Sequence, residues 1–147
     1  MKNKGEVVGI YIKKEKGQKP ELVEKAYLKE GLGLIEDIHS IGGERQVSIF
    51  TEEGWNEIQD KELKGLCINK FHENIRVRNL DINNISQGST VLIGETLHQI
   101  TEIGKNCFLE CNLIKQGKTC PLHQSVIFTK VLKGGEIKIG DKIFTCI

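Results

Sequence analysis

The chain has 147 residues, of which 38% are hydrophobic and 28% are charged. These values predict one globular domain over residues 1–147, with enough apolar surface for a substantial core. The 21 basic and 20 acidic side chains nearly cancel, so the overall charge indicates neither a nucleic-acid partner nor an anionic membrane.

The sequence also predicts where the chain resides. No apolar run approaches the roughly 20 residues of a membrane span, and the N-terminal residues lack the apolar region of a signal peptide. We therefore expect a cytoplasmic protein with no membrane segment. Five cysteines in a reducing compartment favour thiols, metal ligation or redox chemistry over a disulfide framework.

The N-terminal part of the chain predicts strands followed by a glycine-rich loop. Residues 6–12 are apolar on both faces and contain β-branched residues, which is typical of a buried strand, and residues 22–28 predict a weaker one. Residues 31–43 contain four glycines and predict a loop. In an extended segment the spacing of Asp37 and His39 would place both side chains on one face.

The next segment predicts a strand and a helix. Residues 45–50 resume a strand, with Val47 and Ile49 on the same side. Thr51 is a suitable N-cap, and the two glutamates that follow it suit the positive end of a helix dipole. A short helix is therefore predicted to run from Thr51 to about residue 59.

The second half of the chain predicts further strands. Residues 74–78 alternate, with Ile75 and Val77 facing inward and the polar side chains of Asn74, Arg76 and Arg78 facing the other way. Gly94-Glu95 is predicted to be the two-residue turn of a hairpin between residues 91–93 and 96–100.

A similar pattern recurs near the C-terminus. Residues 125–132 predict a strand, and Gly140-Asp141 resembles the Gly94-Glu95 turn, which predicts a second hairpin between residues 137–139 and 142–144. Many short strands, glycine turns and one or two short helices predict a mainly β fold, a barrel or a sandwich.

Three of the five cysteines lie between residues 107 and 120. Gly104 and Lys105 precede Cys107, and backbone N–H groups together with a nearby positive charge stabilise a thiolate and lower the pKa of a cysteine. A thiolate attacks sulfur or binds metal. By contrast, Cys67 within an apolar triplet and Cys146 near the terminus are predicted to be packing residues.

Five segments together resemble the MOSC domain, the module named after the C-terminal part of molybdenum cofactor sulfurase. They are similar to the family's glycine-rich segment ending in Asp-x-His, its Arg-Gln-Val-Ser strand, its Glu-Asn-Ile segment, its glycine-framed strand and its hallmark cysteine. In this chain they are residues 33–39, 45–48, 73–75, 88–94 and Cys107. The order and spacing of the motifs make the resemblance specific, and it extends over nearly the whole chain.

The resemblance implies a MOSC-like β-barrel that binds the molybdenum cofactor or carries sulfur to it; whether a free-standing member is an enzyme stays open. In this interpretation Cys107 is the thiol that holds sulfur as a persulfide. A cysteine desulfurase or another donor would supply the sulfur, and a molybdoenzyme would be the acceptor. The predicted cofactor-binding residues are Asp37, His39, Arg45, Glu73, Asn74 and Lys105.

The chemistry of these residue types fits a pterin that carries a phosphate. Arginine offers a two-pronged donor to phosphate, so Arg45 is the predicted phosphate ligand, with Lys105 as a second cation. Asn74 has both a donor and an acceptor for a pterin edge. Asp37, His39 and Glu73 would order this network or accept protons.

Two positions depart from the family pattern. Glu36 stands where the family usually has glycine, which predicts a differently shaped loop. Phe108 stands where a histidine often follows the cysteine in small stand-alone members, which removes an acid/base neighbour.

Other interpretations of the same residues stay open. Cys107, Cys111, Cys120 and His123 supply the four ligands that a structural zinc requires, although their spacing lacks paired Cys-x-x-Cys motifs. Cys107 would alternatively form a redox dithiol with Cys111 or Cys120, and in sulfur transfer the same neighbour would resolve the persulfide on Cys107 by attacking it. A non-catalytic pterin-binding module would need the anion site without the thiol.

Several candidates also have structural roles as alternatives. Asp37 and His39 in a glycine loop are suited to turn formation or capping. Arg76 and Arg78 are typical of a solvated strand face, and His98 of a surface position or a hydrogen-bonded strand position.

Overall fold

The computed structural model describes residues 2–60, 73–82, 85–104 and 125–146, and within these ranges the chain is mainly β with one helix. The helix α1 spans Glu52–Asp60. The strands are β1 Lys2–Ile12, β2 Glu21–Val23, β3 Lys25–Lys29, β4 Gly33–Leu34, β5 Val47–Thr51, β6 Ile75–Arg78, β7 Thr90–Ile93, β8 Thr96–Ile103, β9 Val126–Lys133, β10 Gly135–Lys138 and β11 Lys142–Cys146.

Seven of these strands form a closed barrel. Their order is β11-β7-β8-β9-β5-β6-β1, and pairing of β1 with β11 closes the ring. Neighbours are antiparallel except β5 and β6, which run parallel. Strand β2 pairs with β1 outside the ring, and β10, β3 and β4 form a separate three-stranded sheet. The prediction of a mainly β barrel with a short helix is confirmed.

The barrel interior is filled by aliphatic side chains that alternate along the strands. Val47 and Ile49 of β5 and Ile75 and Val77 of β6 are almost fully buried, as their alternation with polar residues predicts. The three-stranded sheet packs on the same hydrophobic cluster, to which it contributes Ala26, Leu28, Leu34 and Ile137.

One buried histidine lies among these aliphatic residues. His98 of β8 has no exposed surface, and its ring nitrogens contact the hydroxyl oxygens of Thr96 at 2.8 Å and Thr129 at 2.9 Å. Of the two alternatives for His98, the hydrogen-bonded strand position is therefore the observed one.

Helix α1 begins as predicted. Thr51 is its N-cap, since the Thr51 hydroxyl accepts a hydrogen bond from the N–H of Gly54 at 3.1 Å. A β-carbon at position 54 would lie 2.6 Å from both the Phe50 ring and the Ser125 β-carbon, so glycine permits the helix to approach β5 and the start of β9 closely. With nine residues, α1 is too short to cross a membrane, and no longer apolar helix occurs in the described ranges.

Of the two predicted hairpins, one is confirmed. Strands β7 and β8 pair across Gly94-Glu95, and Gly94 has the positive φ of 56° that the turn requires. The second prediction was wrong, because β10 pairs with β3 whereas β11 pairs with β7 and β1. At Gly140-Asp141 the backbone exchanges hydrogen bonds with Val7 of β1 instead, so this turn carries the chain from the small sheet into the barrel.

Candidate functional site

Of the predicted site residues in the described ranges, Arg45, Glu73 and Asn74 lie beside four adjacent barrel strands, β8, β9, β5 and β6, whereas Asp37 and His39 lie in the glycine-rich loop. Register pairs Glu102 of β8 with Phe128 of β9, and Phe128 with Ser48 of β5. Asn74 immediately precedes β6, the next strand, and contacts Ser48. We call this row of neighbouring residues, Glu102, Phe128, Ser48 and Asn74, the outer row.

Arg45 lies at one end of this row, immediately before Gln46 and β5. Its Nε and Nη2 donate to the two carboxylate oxygens of Glu102 at 2.7 and 2.6 Å, and its guanidinium lies 4.7 Å from the centre of the Phe128 ring. The hydrogen bond to Glu102 raises the pKa of Arg45 above its ordinary value. The arginine side chain is 49% exposed, so the pair is accessible to solvent.

Asn74 lies at the other end and joins β5 to the start of β6. It is 2% exposed, and its side-chain oxygen is 3.0 Å from the backbone nitrogen of Ser48 and 3.2 Å from the Ser48 hydroxyl oxygen. The backbone N–H of Asn74 in turn donates to the backbone oxygen of Ser48 at 2.9 Å. These contacts hold the chain together, and the predicted contact with a pterin edge stays a prediction.

Asp37 and His39 do not share one face, because the segment is a turn and not an extended strand. Asp37 is buried, and its carboxylate accepts hydrogen bonds from the backbone N–H groups of Lys13 at 2.9 Å and His39 at 3.1 Å. His39 is exposed. The Asp37 carboxylate thus fastens the glycine-rich loop to the end of β1, which is the turn-forming role of aspartate.

Glu36, one of the departures from the family pattern, adopts a conformation that glycine favours. Its φ is +74°, in the left-handed region where a β-carbon is strained. Position 36 therefore keeps a glycine-like backbone although it carries a glutamate. The Glu36 side chain is exposed and lies 3.8 Å from Lys14.

Replacing Glu36 by glycine should raise the free energy of unfolding by roughly 0.5–1 kcal/mol, because relief of left-handed strain exceeds the added freedom of the unfolded chain. Glu36→Ala is the matched control, since it also loses the Lys14 contact but keeps the β-carbon. Urea denaturation of both variants measures the difference. Equal stabilities of the glycine and alanine variants would contradict the assignment of strain.

Glu73 and Arg76 form a second cluster at the start of β6. The Glu73 carboxylate pairs with the Arg76 guanidinium, and the two side chains are only 14% and 15% exposed. The guanidinium lies 4.4 Å from the centre of the Trp55 ring and 5.2 Å from the centre of the Tyr11 ring. The interpretation of Arg76 as a solvated strand residue was wrong, because α1 and β1 cover this end of β6 with aromatic rings.

The remaining candidates lie outside the described residues: Lys105, Cys107, Cys111, Cys120 and His123, together with Cys67 and Phe108. The zinc and dithiol alternatives therefore stay predictions. In the part of the chain that the structure describes, no three His, Cys, Asp or Glu side chains group as metal ligands.

The ends that flank residues 105–124 are described. The backbone N–H of Gly104 donates to the oxygen of Val126 at 2.6 Å, and Val126 pairs with Phe50 of β5. Ser125 lies against Gly54 of α1. The chain thus leaves the barrel at the end of β8, which carries Glu102 of the outer row. It re-enters at the start of β9, which carries Phe128 of the same row.

Sequence reasoning missed Glu102, Phe128 and Ser48 as neighbours of the predicted site. Glu102 is 57 residues from Arg45, and no local pattern relates them. Ser48 could have been found from the sequence, because it belongs to the Arg-Gln-Val-Ser segment. In the same segment, Gln46 accepts a hydrogen bond from the Val131 N–H at 2.9 Å and donates one to the Gly43 oxygen at 2.9 Å.

Comparison with protein families agrees with this architecture. The model of the MOSC domain matches residues 36–144, a range that includes Asp37, Arg45, Asn74 and the segment around Cys107. The chain belongs to the MOSC domain family. This family is known for binding related to the molybdenum cofactor.

Solved structures with the same fold include bacterial MOSC proteins. The chain is similar to the YuaD protein from Bacillus subtilis, with a TM-score of 0.70 and 18% identity over 95% of this chain and 93% of that one. It is also similar to YiiM from Escherichia coli, with a TM-score of 0.59 and 16% identity over 100% and 70% of the two chains. No curated protein matches the sequence.

Proposed function

We propose that this MOSC domain binds the molybdenum cofactor or a related pterin phosphate beside the outer row, and that Cys107 carries sulfur there as a persulfide. The sulfur donor would be a cysteine desulfurase or a similar enzyme, and the acceptor a molybdoenzyme. The domain and both partners would work in the reducing cytosol, where the thiol is maintained.

One observation supports the proposal most directly: the position of Gly104 relative to Arg45. Gly104 is two residues beyond Glu102, the partner of Arg45, which is about 7 Å along an extended strand. Covalent geometry limits the Cα of a residue three positions beyond Gly104 to about 11 Å from it. The Cα of Cys107 is therefore limited to about 18 Å from the Cα of Glu102, which is compatible with a site that Cys107 and Arg45 share.

Among the described residues, Arg45 has the hydrogen-bonding geometry that fits a phosphate. Arg45 already binds a planar oxyanion through Nε and Nη2, because the Glu102 carboxylate occupies this position. That carboxylate stands in for a phosphate, which accepts the same two hydrogen bonds. Arg45 is therefore the residue in the described ranges that would hold the phosphate of the cofactor, and the Phe128 ring beneath it orients the guanidinium.

The residues around Arg45 and the thiol of Cys107 would have different roles. Arg45 would orient the ligand by its phosphate, and Asp37 and Asn74 would hold the loop and strand on which Arg45 is placed. When bound, the cofactor supplies the acceptor of the sulfur. The described part of the site contributes binding and position, while the nucleophile comes from Cys107.

Loading of sulfur needs no external oxidant. The Cys107 thiolate attacks the terminal sulfur of a persulfide on the donor, a new S–S bond forms at Cys107, and the donor's S–S bond breaks. The donor cysteine leaves as a thiolate and takes up a proton from solvent. Oxidation states balance, because one persulfide is exchanged for another.

Cys107→Ser should abolish sulfur loading, because the hydroxyl is not ionised near neutral pH and does not form a persulfide. The protein is incubated with a cysteine desulfurase and cysteine, and its intact mass is measured by native and then denaturing mass spectrometry. The wild-type chain should gain one sulfur that reductant removes. Circular dichroism establishes that the variant is folded.

Cys111→Ser and Cys120→Ser are the matched controls, and both should keep the uptake of sulfur. Unchanged uptake in Cys107→Ser would refute the carrier role. A native mass heavier by one zinc, without uptake of sulfur, would favour the alternative in which Cys107, Cys111, Cys120 and His123 bind metal.

A further inference from the structure

We infer that Glu102 is a competing ligand of the Arg45 guanidinium and sets the affinity of the site for phosphate. The inference rests on the proposed function, since it takes Arg45 as the phosphate ligand. It adds a residue that neither the family motifs nor the predicted site contains. A bound phosphate would have to displace the Glu102 carboxylate.

The contact has the geometry of ligand binding. Both Glu102 oxygens are engaged, and the guanidinium lies on the Phe128 ring. The same two N–H groups would donate to a bidentate phosphate. Glu102 therefore has to move away before a phosphate can bind. The guanidinium is already held in the orientation that the phosphate needs.

Glu102 is held where it can compete. Strand β8 has an irregular register between Ile100 and Glu102, and the neighbouring hydroxyl of Thr101 donates to the backbone oxygens of Glu44 and Phe128. These contacts fix the backbone of β8 beside the segment that carries Arg45. An intramolecular carboxylate held in this way acts at a high effective concentration.

The charges on the described surface support competition. Arg45 is neutralised by Glu102, and Arg76 by Glu73. Lys130, a third cation near Arg45, is paired with Glu44 at 3.9 Å. An anion that binds the Arg45 guanidinium through Nε and Nη2 therefore has to displace Glu102.

A structural role alone would make a different prediction. Exposed ion pairs contribute little to stability, and the Arg45 and Glu102 side chains are 49% and 32% exposed. If the pair served only to join β8 to the segment before β5, neutralising Glu102 would weaken that join without creating an anion site. Binding therefore separates the two roles better than stability does.

The test is titration of Glu102→Gln with inorganic phosphate at constant ionic strength, by isothermal calorimetry. Glutamine keeps the size of the side chain and removes the charge. We expect the variant to bind phosphate at least tenfold more tightly than the wild-type chain. The Nε–H resonance of Arg45 should shift with phosphate in the variant, which a purely structural pair would not cause.

Two further variants locate the effect. Glu44→Gln neutralises another carboxylate close to Arg45 and should leave the affinity within twofold of wild type. Adding Arg45→Ala to Glu102→Gln should remove the gain. Equal affinities of wild type and Glu102→Gln, or a gain that survives Arg45→Ala, would overturn the inference about Glu102.

The same variants are loaded with sulfur as above, because loading at Cys107 does not require Arg45. If the wild-type chain takes up no sulfur, the carrier proposal is refuted, whatever the phosphate affinities are. If sulfur uptake is normal and Glu102→Gln binds phosphate with the same affinity as the wild-type chain, the role of Glu102 is refuted and the carrier proposal is not.

Discussion

The free energy of unfolding should fall by about 3 kcal/mol between pH 7 and pH 4 through one buried histidine, since each pKa unit corresponds to about 1.4 kcal/mol. Burial in the barrel lowers the pKa of His98 from 6.5 to about 4. The unfolded chain binds a proton near pH 6.5, whereas the folded chain binds it only near pH 4. Stability is therefore complete above pH 6.5 and is lost as the pH falls towards 4.

The hydrogen bonds of His98 explain why the ring stays neutral. The Thr96 hydroxyl donates to the Ile93 backbone oxygen at 2.7 Å, so it accepts a hydrogen bond from Nε2–H of His98. Nδ1 is then the unprotonated nitrogen, and it accepts from the Thr129 hydroxyl at 2.9 Å. Protonation at Nδ1 would require the Thr129 hydroxyl to turn and accept the bond, and it would place a charge among aliphatic side chains.

The measurement is urea denaturation at several pH values between 7 and 4 for the wild-type chain and His98→Gln. Carboxylates also titrate in this range, so the difference between the two pH profiles isolates His98. His39→Gln is the matched control, because it removes an exposed histidine, and its effect on the pH profile should be smaller than that of His98→Gln. Parallel profiles for wild type and His98→Gln would contradict the assignment.

The second large effect is expected for Asn74→Ala, which should lower the free energy of unfolding by about 3 kcal/mol. The substitution removes the side-chain oxygen that accepts a hydrogen bond from the Ser48 backbone N–H, and this buried N–H loses that acceptor. It also removes the side-chain link between the start of β6 and β5, the parallel pair of the barrel, although the backbone bond from Asn74 to Ser48 remains. Urea denaturation at pH 7 measures the loss.

Ser48→Ala provides the control for this pair. It removes the hydroxyl that contacts Asn74 at 3.2 Å but keeps the backbone bond, so the loss should be smaller, about 1 kcal/mol. A cost below about 1 kcal/mol for Asn74→Ala would show that the buried hydrogen bonds are dispensable. In that case the predicted contact with a pterin would be the better explanation of Asn74.

Local sequence patterns predicted much of the fold. Alternation of aliphatic and polar residues at 47–49 and 75–77 indicated which side chains enter the core, and they do. Thr51 before two glutamates indicated the start of α1, and the Gly94 turn indicated the first hairpin. These signals are reliable because each depends on contacts within a few residues of the chain.

Local patterns failed where a second strand decided the outcome. The Gly140 turn has the composition of a hairpin, but hydrogen bonds with Val7 divert it. Arg76 has the spacing of an exposed strand residue, but Trp55 and Tyr11 cover it. In both cases the partners are distant in sequence, and their approach depends on the order of strands around the barrel.

By itself, the sequence determined the fold class, the inward-facing residues of the strands, and the motifs by which the chain belongs to the MOSC family. Only the tertiary structure decided that Asp37 and Asn74 are buried in hydrogen bonds, that His98 lies in the core, and that Glu102 binds Arg45. The physical reason is that periodicity specifies the face of a strand on which a side chain lies. What covers that face follows from strand order and register.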